Sequence, residues 1–307
     1  MRQGCKARTM ADCFFQLPLA YACAKVNLTL HITGRRADGY HLLESLVAFA
    51  SPDSEACDQL TLSPGLETKF SVSGTMATTL NTADNLVTKA ANMFMLHFPQ
   101  AVSGHFQLTK VLPVSAGIGG GSADAAAALR LLANLNKIQK TDPRLQEIAR
   151  ELGADVLMCL MEESRFVKGI GDDLGPVLKG VSLPVVLINP GIPVSTPDVF
   201  RRAAFLENTM YPEHQHPSYP DSFTQQALID FLRQSRNDLE PAAMVMAPVI
   251  RDVIDVLYEN STCLLARMSG SGATVFGVFP TLESASCAAR GIQTAHPQWW
   301  VVPTMLQ

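Results

Sequence analysis

From residue 24 the chain alternates. Ala24, Val26, Leu28, Leu30 and Ile32 fall on one side, and Lys25, Asn27, Thr29 and His31 on the other. A period of two predicts a half-buried β-strand with a polar face. Gly34-Arg35-Arg36-Ala37-Asp38-Gly39 predicts a turn, and the mostly apolar residues 40–50 predict another strand. Short strands are expected at 60–62 and 69–72. Over 84–98 the period changes: Leu86, Ala90, Met93, Phe94 and His97 lie near one face of a helix. Residues 106–112 read as a strand that ends at Pro113. A helix follows from Ser122, its expected N-cap, to about Leu135, and another over 142–152 that stops at Gly153. Further on come a buried strand at 185–189, helices at 221–234 and 248–259, a Gly-Ser turn feeding a strand over 268–279, and a last helix over 281–294. Strands and helices mix without a regular βαβ repeat, which predicts an α+β fold. The chain's likeliest junction between domains is 169–183, and the Pro- and His-rich stretch 211–220 reads as an exposed loop.

Composition narrows the function. With 307 residues, 47% hydrophobic and 17% charged, the chain is globular and long enough for about two domains. A net charge of −4 gives the whole protein no pull toward nucleic acid or an anionic membrane. The seven cysteines are scattered, odd in number and without a CxxC pair. They are expected to be free thiols in a reducing, cytoplasmic setting rather than a disulfide frame or a zinc site. No apolar run is long enough to span a bilayer. The N-terminus superficially copies a signal peptide, but Asp12, Gln16 and Pro18 weaken its apolar region, and cleavage after the small residues would cut into the strand. The first nine residues read as a loose extension ahead of Met10.

The chemistry centres on Pro113-Val114-Ser115-Ala116-Gly117-Ile118-Gly119-Gly120-Gly121-Ser122-Ala123. Glycines let backbone N–H groups approach an anion, and the helix behind them offers free donors at a positive dipole end. A tight packing contact would also use small residues, but four glycines in five positions exceed what a turn requires. The loop lacks the Lys of GxxxxGK[ST] and ends in Ser122 where a dinucleotide fingerprint has Gly. Lys25 alone would be a solvated side chain. Asp155 stands just past the helix that ends at Gly153, where a carboxylate is unfavourable without a partner cation; alternatively it caps a new helix over 156–160. Tyr40 and His41 offer a stacking site or only a strand start. Met268-Ser-Gly-Ser-Gly is a second small-residue loop, and His214 with His216 sits in the polar loop.

In order along the chain, Ala24-Lys25-Val26-Asn27-Leu28, Gly34-Arg-Arg-Ala-Asp-Gly-Tyr-His41, Gly117-Ile-Gly-Gly-Gly-Ser-Ala-Asp-Ala, Gly153-Ala-Asp155 and Met268-Ser-Gly-Ser-Gly resemble the GHMP kinase superfamily. They are most similar to its member that phosphorylates the 2-hydroxyl of a cytidine-diphosphate-linked methylerythritol in non-mevalonate isoprenoid synthesis. The resemblance implies a two-domain fold: an ATP-binding domain of the ribosomal-protein-S5-like type over 1–168, with 1–20 as an extension, and a GHMP kinase α+β domain over 169–307 whose last residues are free to return to the first. It implies a left-handed β-α-β unit, ATP at residues 113–123 with Lys110 and Asn85 near the nucleotide, and Lys25 and Asp155 as catalytic pair. Tyr40 and Phe200 are to stack on the cytosine and His41 to read its edge, with Asn27 and Thr196 near the substrate. Mg²⁺ is to accompany ATP, Ser122 being the best candidate ligand. Three departures stand out: Leu157 where a Pro is expected, Val114-Ser115-Ala116 in place of a more Gly-rich approach, and a long 211–220 loop.

Overall fold

The structure is a computed structural model that describes residues 17–79, 85–203, 209–210, 216–218 and 222–307. The expectations for 1–16, Met10, His214 and most of the 211–220 loop lie outside the described residues.

The first sheet places β1 (Leu19–Cys23) beside β5 (Cys57–Gly65), then β7 (Ser103–Thr109), then β6 (Lys69–Ser73). β6 and β7 are parallel and joined through α1 (Leu86–His97), which forms the expected β-α-β unit. β7 ends at Thr109, three residues before the predicted end, because Val111 and Leu112 leave the ladder to donate their backbone N–H groups to Asp58. Helices α2 (Gly120–Leu135), α3 (Pro143–Leu152) and α4 (Ala154–Met161) pack with α1 over this sheet. α2 is the central helix. Ala123, Ala125, Ala126, Ala127 and Ala128 are all buried, and side chains this small let neighbours close in from every side. Asp142 caps α3 through Arg144 N, with Pro143 in the first turn.

A second sheet runs β11 (Thr209–Met210), β3 (His31–Arg35), β4 (His41–Phe49), β8 (Arg165–Lys168), β9 (Asp173–Val177), with β2 (Lys25–Asn27) also on β4. The single strand expected over 24–32 is thus two, broken at residues 28–30. Its polar side is not a solvated face. Lys25, Asn27, Thr29 and His31 are all buried, because this side faces the interior between the sheets and the cleft, where buried polar groups find partners.

The third sheet, β12 (Leu265–Met268), β13 (Val275–Val278), β10 (Leu183–Asn189), β14 (Trp300–Leu306), is antiparallel throughout. β10 is flanked on both edges and buried along its whole length, which its apolar run foretold. α7 (Glu240–Met246), α8 (Val249–Glu259) and α9 (Leu282–Ala295) bury their apolar stripes against this sheet. In α8 the stripe is Ile250, Val253, Ile254 and Leu257. α5 (Thr196–Ala203) and α6 (Gln225–Gln234) complete the second half. The chain's last strand reaches back: Phe49 and Gln307 exchange backbone hydrogen bonds of 2.9 Å.

The cysteine expectation fails at one pair. Cys23 and Cys57 stand opposite each other in the β1–β5 ladder, with Cα atoms 3.9 Å apart, and are disulfide-bonded. They are 34 residues apart in sequence, and only the strand register brings them together. Cys159, Cys263 and Cys287 are free. Among the described residues no helix is long and apolar enough to cross a membrane.

Candidate active site

The ends of β2, α2, α4 and the turn after β12 converge on a cleft of about 800 Å³. Lys25 enters from β2, its backbone N–H donating to Ile118 O at 2.9 Å. Its ammonium donates to Asn27 Oδ1 at 2.9 Å and pairs with Asp155 Oδ2 at 3.2 Å. Lys25 is buried, whereas the Asp155 side chain is 41% exposed to the cleft. Asp155 sits in the first turn of α4, not at the negative end of α3. The expected partner cation is there, but Asp155 does not cap the new helix, whose N-cap is Gly153; the positive end of α4 and the Lys25 ammonium both favour its carboxylate.

The glycine loop lies directly on this pair. Gly119 adopts φ +65°, and a Cβ there would stand 3.3 Å from Lys25 Cε and 3.8 Å from Asp155 Oδ2. Gly119 is the N-cap of α2, and no side chain caps that helix. Ser122, the expected cap, is instead in its first turn, since the left-handed Gly119 starts the helix three residues sooner. Uncapped first-turn N–H groups beside an ammonium form an anion site. Gly117 interlocks with the second Gly-Ser loop: Ser269 Oγ donates to Gly117 O at 3.0 Å and accepts Asn27 N–H at 3.1 Å. Asn237 Nδ2 holds that loop by donating to Met268 O and Gly270 O.

Asn27, most of the glycine loop, Thr196 and Phe200 line the cleft together with the Lys25–Asp155 pair. Thr196 is tied to the second loop by a 2.6 Å contact with Ser271 Oγ. Tyr40 and His41 line an adjoining hollow of about 520 Å³ that shares Thr196 and Phe200 with the cleft and adds Arg35 and Arg201. The His41 and Phe200 rings stack with centroids 4.6 Å apart, while Tyr40 is 61% exposed. Burial, then the Arg35 guanidinium, hold the His41 imidazole below its ordinary value. The neutral ring so favoured has one donor and one acceptor nitrogen.

Other expected residues sit beneath the surface. Pro113 lines a separate hollow beside Val114 and Ser115, and Ile118 and Ala123 are buried under the loop. Asn85 caps α1, its Oδ1 accepting Thr88 N–H at 2.8 Å. Lys110 is 1% exposed and pinned between Asp58 Oδ2 at 2.6 Å and Asp124 Oδ2 at 2.5 Å. Burial lowers the Lys110 ammonium, but the two carboxylates outweigh it and its pKa lies above the ordinary value. Burial raises the Asp124 carboxyl despite that ammonium. This triad ties β5 to the start of α2 and so braces the loop from below. Ser45 left no signal in the sequence, and Ser269 and Ser271 only the Met268-Ser-Gly-Ser-Gly loop; their roles arise from contacts between distant segments. Among the described residues no group of three or more His, Cys, Asp or Glu side chains could hold a metal.

A lysine–carboxylate pair against an uncapped glycine-loop helix, in one cleft, is an arrangement suited to a small-molecule kinase of the GHMP type. Two family models agree: the GHMP kinases N terminal domain over 85–163 and the GHMP kinases C terminal domain over 224–298. A 4-diphosphocytidyl-2-C-methyl-D-erythritol kinase of Methylobacterium radiotolerans is 48% identical over 93% of this chain and 98% of its own length. One from a Bradyrhizobium species is 46% identical over 91% and 93%. The crystal structure of a 4-(cytidine 5'-diphospho)-2C-methyl-D-erythritol kinase matches at 30% identity and TM-score 0.73, over 94% of this chain and 99% of that one. A homoserine kinase from Cytophaga hutchinsonii, 18% identical with TM-score 0.63, shares the fold. The chain belongs to the 4-diphosphocytidyl-2-C-methyl-D-erythritol kinase family of the GHMP kinases. It is a phosphotransferase with an alcohol acceptor and ATP as donor.

Proposed function

We propose that this enzyme transfers the γ-phosphoryl group of ATP to the 2-hydroxyl of 4-diphosphocytidyl-2-C-methyl-D-erythritol, a step of non-mevalonate isoprenoid precursor synthesis. The observation that carries this reading is the Lys25–Asp155 pair lying against Gly119, in a cleft that opens into the His41–Phe200 hollow. The glycine loop holds the phosphates, and the adjoining hollow holds the pyrimidine. Phosphoryl transfer needs positioning and charge neutralisation more than covalent help. Asp155 accepts the hydroxyl proton as the oxygen attacks in line, an effect worth about 10²- to 10⁴-fold. Lys25 keeps Asp155 in place and neutralises charge on the transferring group. With no all-protein cage among the described residues, Mg²⁺ would be held by the nucleotide phosphates with the Ser122 hydroxyl as a candidate ligand, and would add charge neutralisation. His41 reads the base edge, with Tyr40 and Phe200 supplying ring faces.

ATP as donor supports a cytoplasmic setting, whose reducing poise would open the Cys23–Cys57 disulfide. The experiment is ATP turnover with a panel of acceptors: the cytidine substrate, its uridine analogue, homoserine and mevalonate. The cytidine compound should be preferred by at least about tenfold over uridine, and His41→Ala should narrow that margin while leaving ATP affinity unchanged. Equal turnover of cytidine and uridine compounds would remove the base-reading role. Preference for homoserine or mevalonate would reassign the substrate.

A further inference from the structure

The Lys25 ammonium has two anchors, Asp155 Oδ2 and Asn27 Oδ1. The second depends on which way round the Asn27 amide sits. An amide has an acceptor end and a donor end of nearly equal size, so packing alone does not choose between them. Lys25 only donates and so favours the oxygen end; the other end is fixed behind the site. Asn27 Nδ2 donates to Ser45 Oγ at 2.7 Å, and Ser45 Oγ donates to the Thr29 carbonyl at 2.5 Å. A carbonyl only accepts, so it takes the single Ser45 hydroxyl hydrogen. Ser45 Oγ can then only accept from Asn27, and the amide must turn its NH₂ to Ser45 and its oxygen to Lys25. Thr29 is itself fixed, for its Oγ1 accepts Leu46 N–H at 2.8 Å and meets His216 Nε2 at 2.6 Å. Ser45 and Thr29 are fully buried, and Ser45 is not among the residues lining the cleft.

We infer that Ser45 is a positioning residue for phosphoryl transfer: it pins the Asn27 amide with its oxygen toward the ammonium and thereby holds Lys25 beside Asp155. This rests on the reading of Lys25 and Asp155 as the reacting pair. Without the hydroxyl, the buried NH₂ loses its acceptor and only the ammonium still holds the amide, by its oxygen end, so the amide shifts and Lys25 leaves its place. A displacement of about 1 Å at a reacting group costs up to about a hundredfold in rate.

The test is steady-state kinetics and melting temperature for Ser45→Ala and Ser45→Thr, each in the parent and in an Asn27→Asp background. Ser45→Ala should lower kcat by about ten- to a hundredfold with KM for ATP nearly unchanged. Ser45→Thr, which keeps the hydroxyl, should stay within about threefold of the parent by the same criterion. Asp at 27 presents an oxygen to Lys25 either way round, so Ser45→Ala should cost little further kcat in that background. A Ser45→Ala enzyme with parental kcat overturns the inference. So does a loss of kcat and melting temperature that Thr does not rescue and that is equal in both backgrounds. The underlying reading is judged separately: if Asp155→Asn keeps near-normal turnover, that reading fails, whereas an inactive Asp155→Asn beside an unaffected Ser45→Ala sinks only the role of Ser45.

Discussion

At the scale of single residues, the proposed reaction depends on one cation and one carboxylate held in register, with Asp155 as the proton acceptor. Asp155→Asn removes the proton acceptor but keeps its shape, so kcat should fall at least about a hundredfold while ATP binding, followed by calorimetry, persists. Lys25→Met should be nearly as damaging, and the double variant little worse than either, because the two groups act as a unit. A different residue governs pH. His216 packs against His31, Phe166 and Phe231, and burial, then His31, push its pKa down to about 3. A hydrogen bond with the Pro217 carbonyl and the Glu44 carboxylate pull the other way, and Arg236 adds to the depression. The unfolded chain, with an ordinary histidine near 6.5, binds the extra proton between those values. Stability from this group is therefore full above pH 6.5 and falls as pH drops toward 3, by up to about 1.4 kcal/mol per pH unit. His216→Phe should lack that slope, so urea titrations of parent and variant should converge or cross as the pH is lowered from 7.5 to 5.

At the scale of elements, the glycine loop shows which small residues are obligatory. A Cβ on Gly117 would stand 2.5 Å from Ser269 O and 2.8 Å from both Gly272 N and Gly272 O, at φ +74°. These are backbone atoms with nowhere to go. Gly121 has an ordinary φ, and its Cβ would meet only Leu86 Cδ1 at 3.7 Å. Gly117→Ala should therefore lose ATP binding and melt several degrees lower, whereas Gly121→Ala should melt at or above the parent, since Ala is the better helix former. Thermal melts with and without ATP separate the two. The same loop marks how far the sequence could be read. Its glycines and the alternation around Lys25 pointed to a candidate phosphate site and to the strand beside it. That alternation misplaced the environment, since a period of two tells that Lys25 and Asn27 share a face but not that the face is covered. Ser122 has the right chemistry for a cap, yet a left-handed glycine began the helix first. α5, α7, β8, β9, β12 and β14 went unread because they are short or lack a clean period, and Ser45 because its importance lies in one donor–acceptor order set across two strands.

At the scale of the whole molecule, no part of the cleft belongs to one segment alone. β9 lies past residue 168 yet pairs with β8, and the bridge from Leu306 to Ala50 joins the last strand to the residue that follows β4. Leu306 is fully buried in the central core beside Leu46, Val185 and Phe276. Leu306→Ala should cost about 2–5 kcal/mol in chemical denaturation. It should unfold both halves in a single transition, since the core it breaks is common to them; two separate transitions would show independent halves.

The clasp between Gly117 and the turn around Ser269 bears on how such genes recombine. The two partners are 152 residues apart in a chain of 307, so a single crossover between relatives would often bring them together from different parents. Their contact is made of main-chain atoms, one serine hydroxyl and positions where a side chain has no room. A hybrid gene therefore meets no mismatch at this seam as long as both parents keep Gly117, Ser269 and Gly272, however much they have drifted elsewhere. Shuffled libraries should recover active hybrids with breakpoints between the two loops more often than hybrids that divide the packed alanine face of α2 from its neighbours.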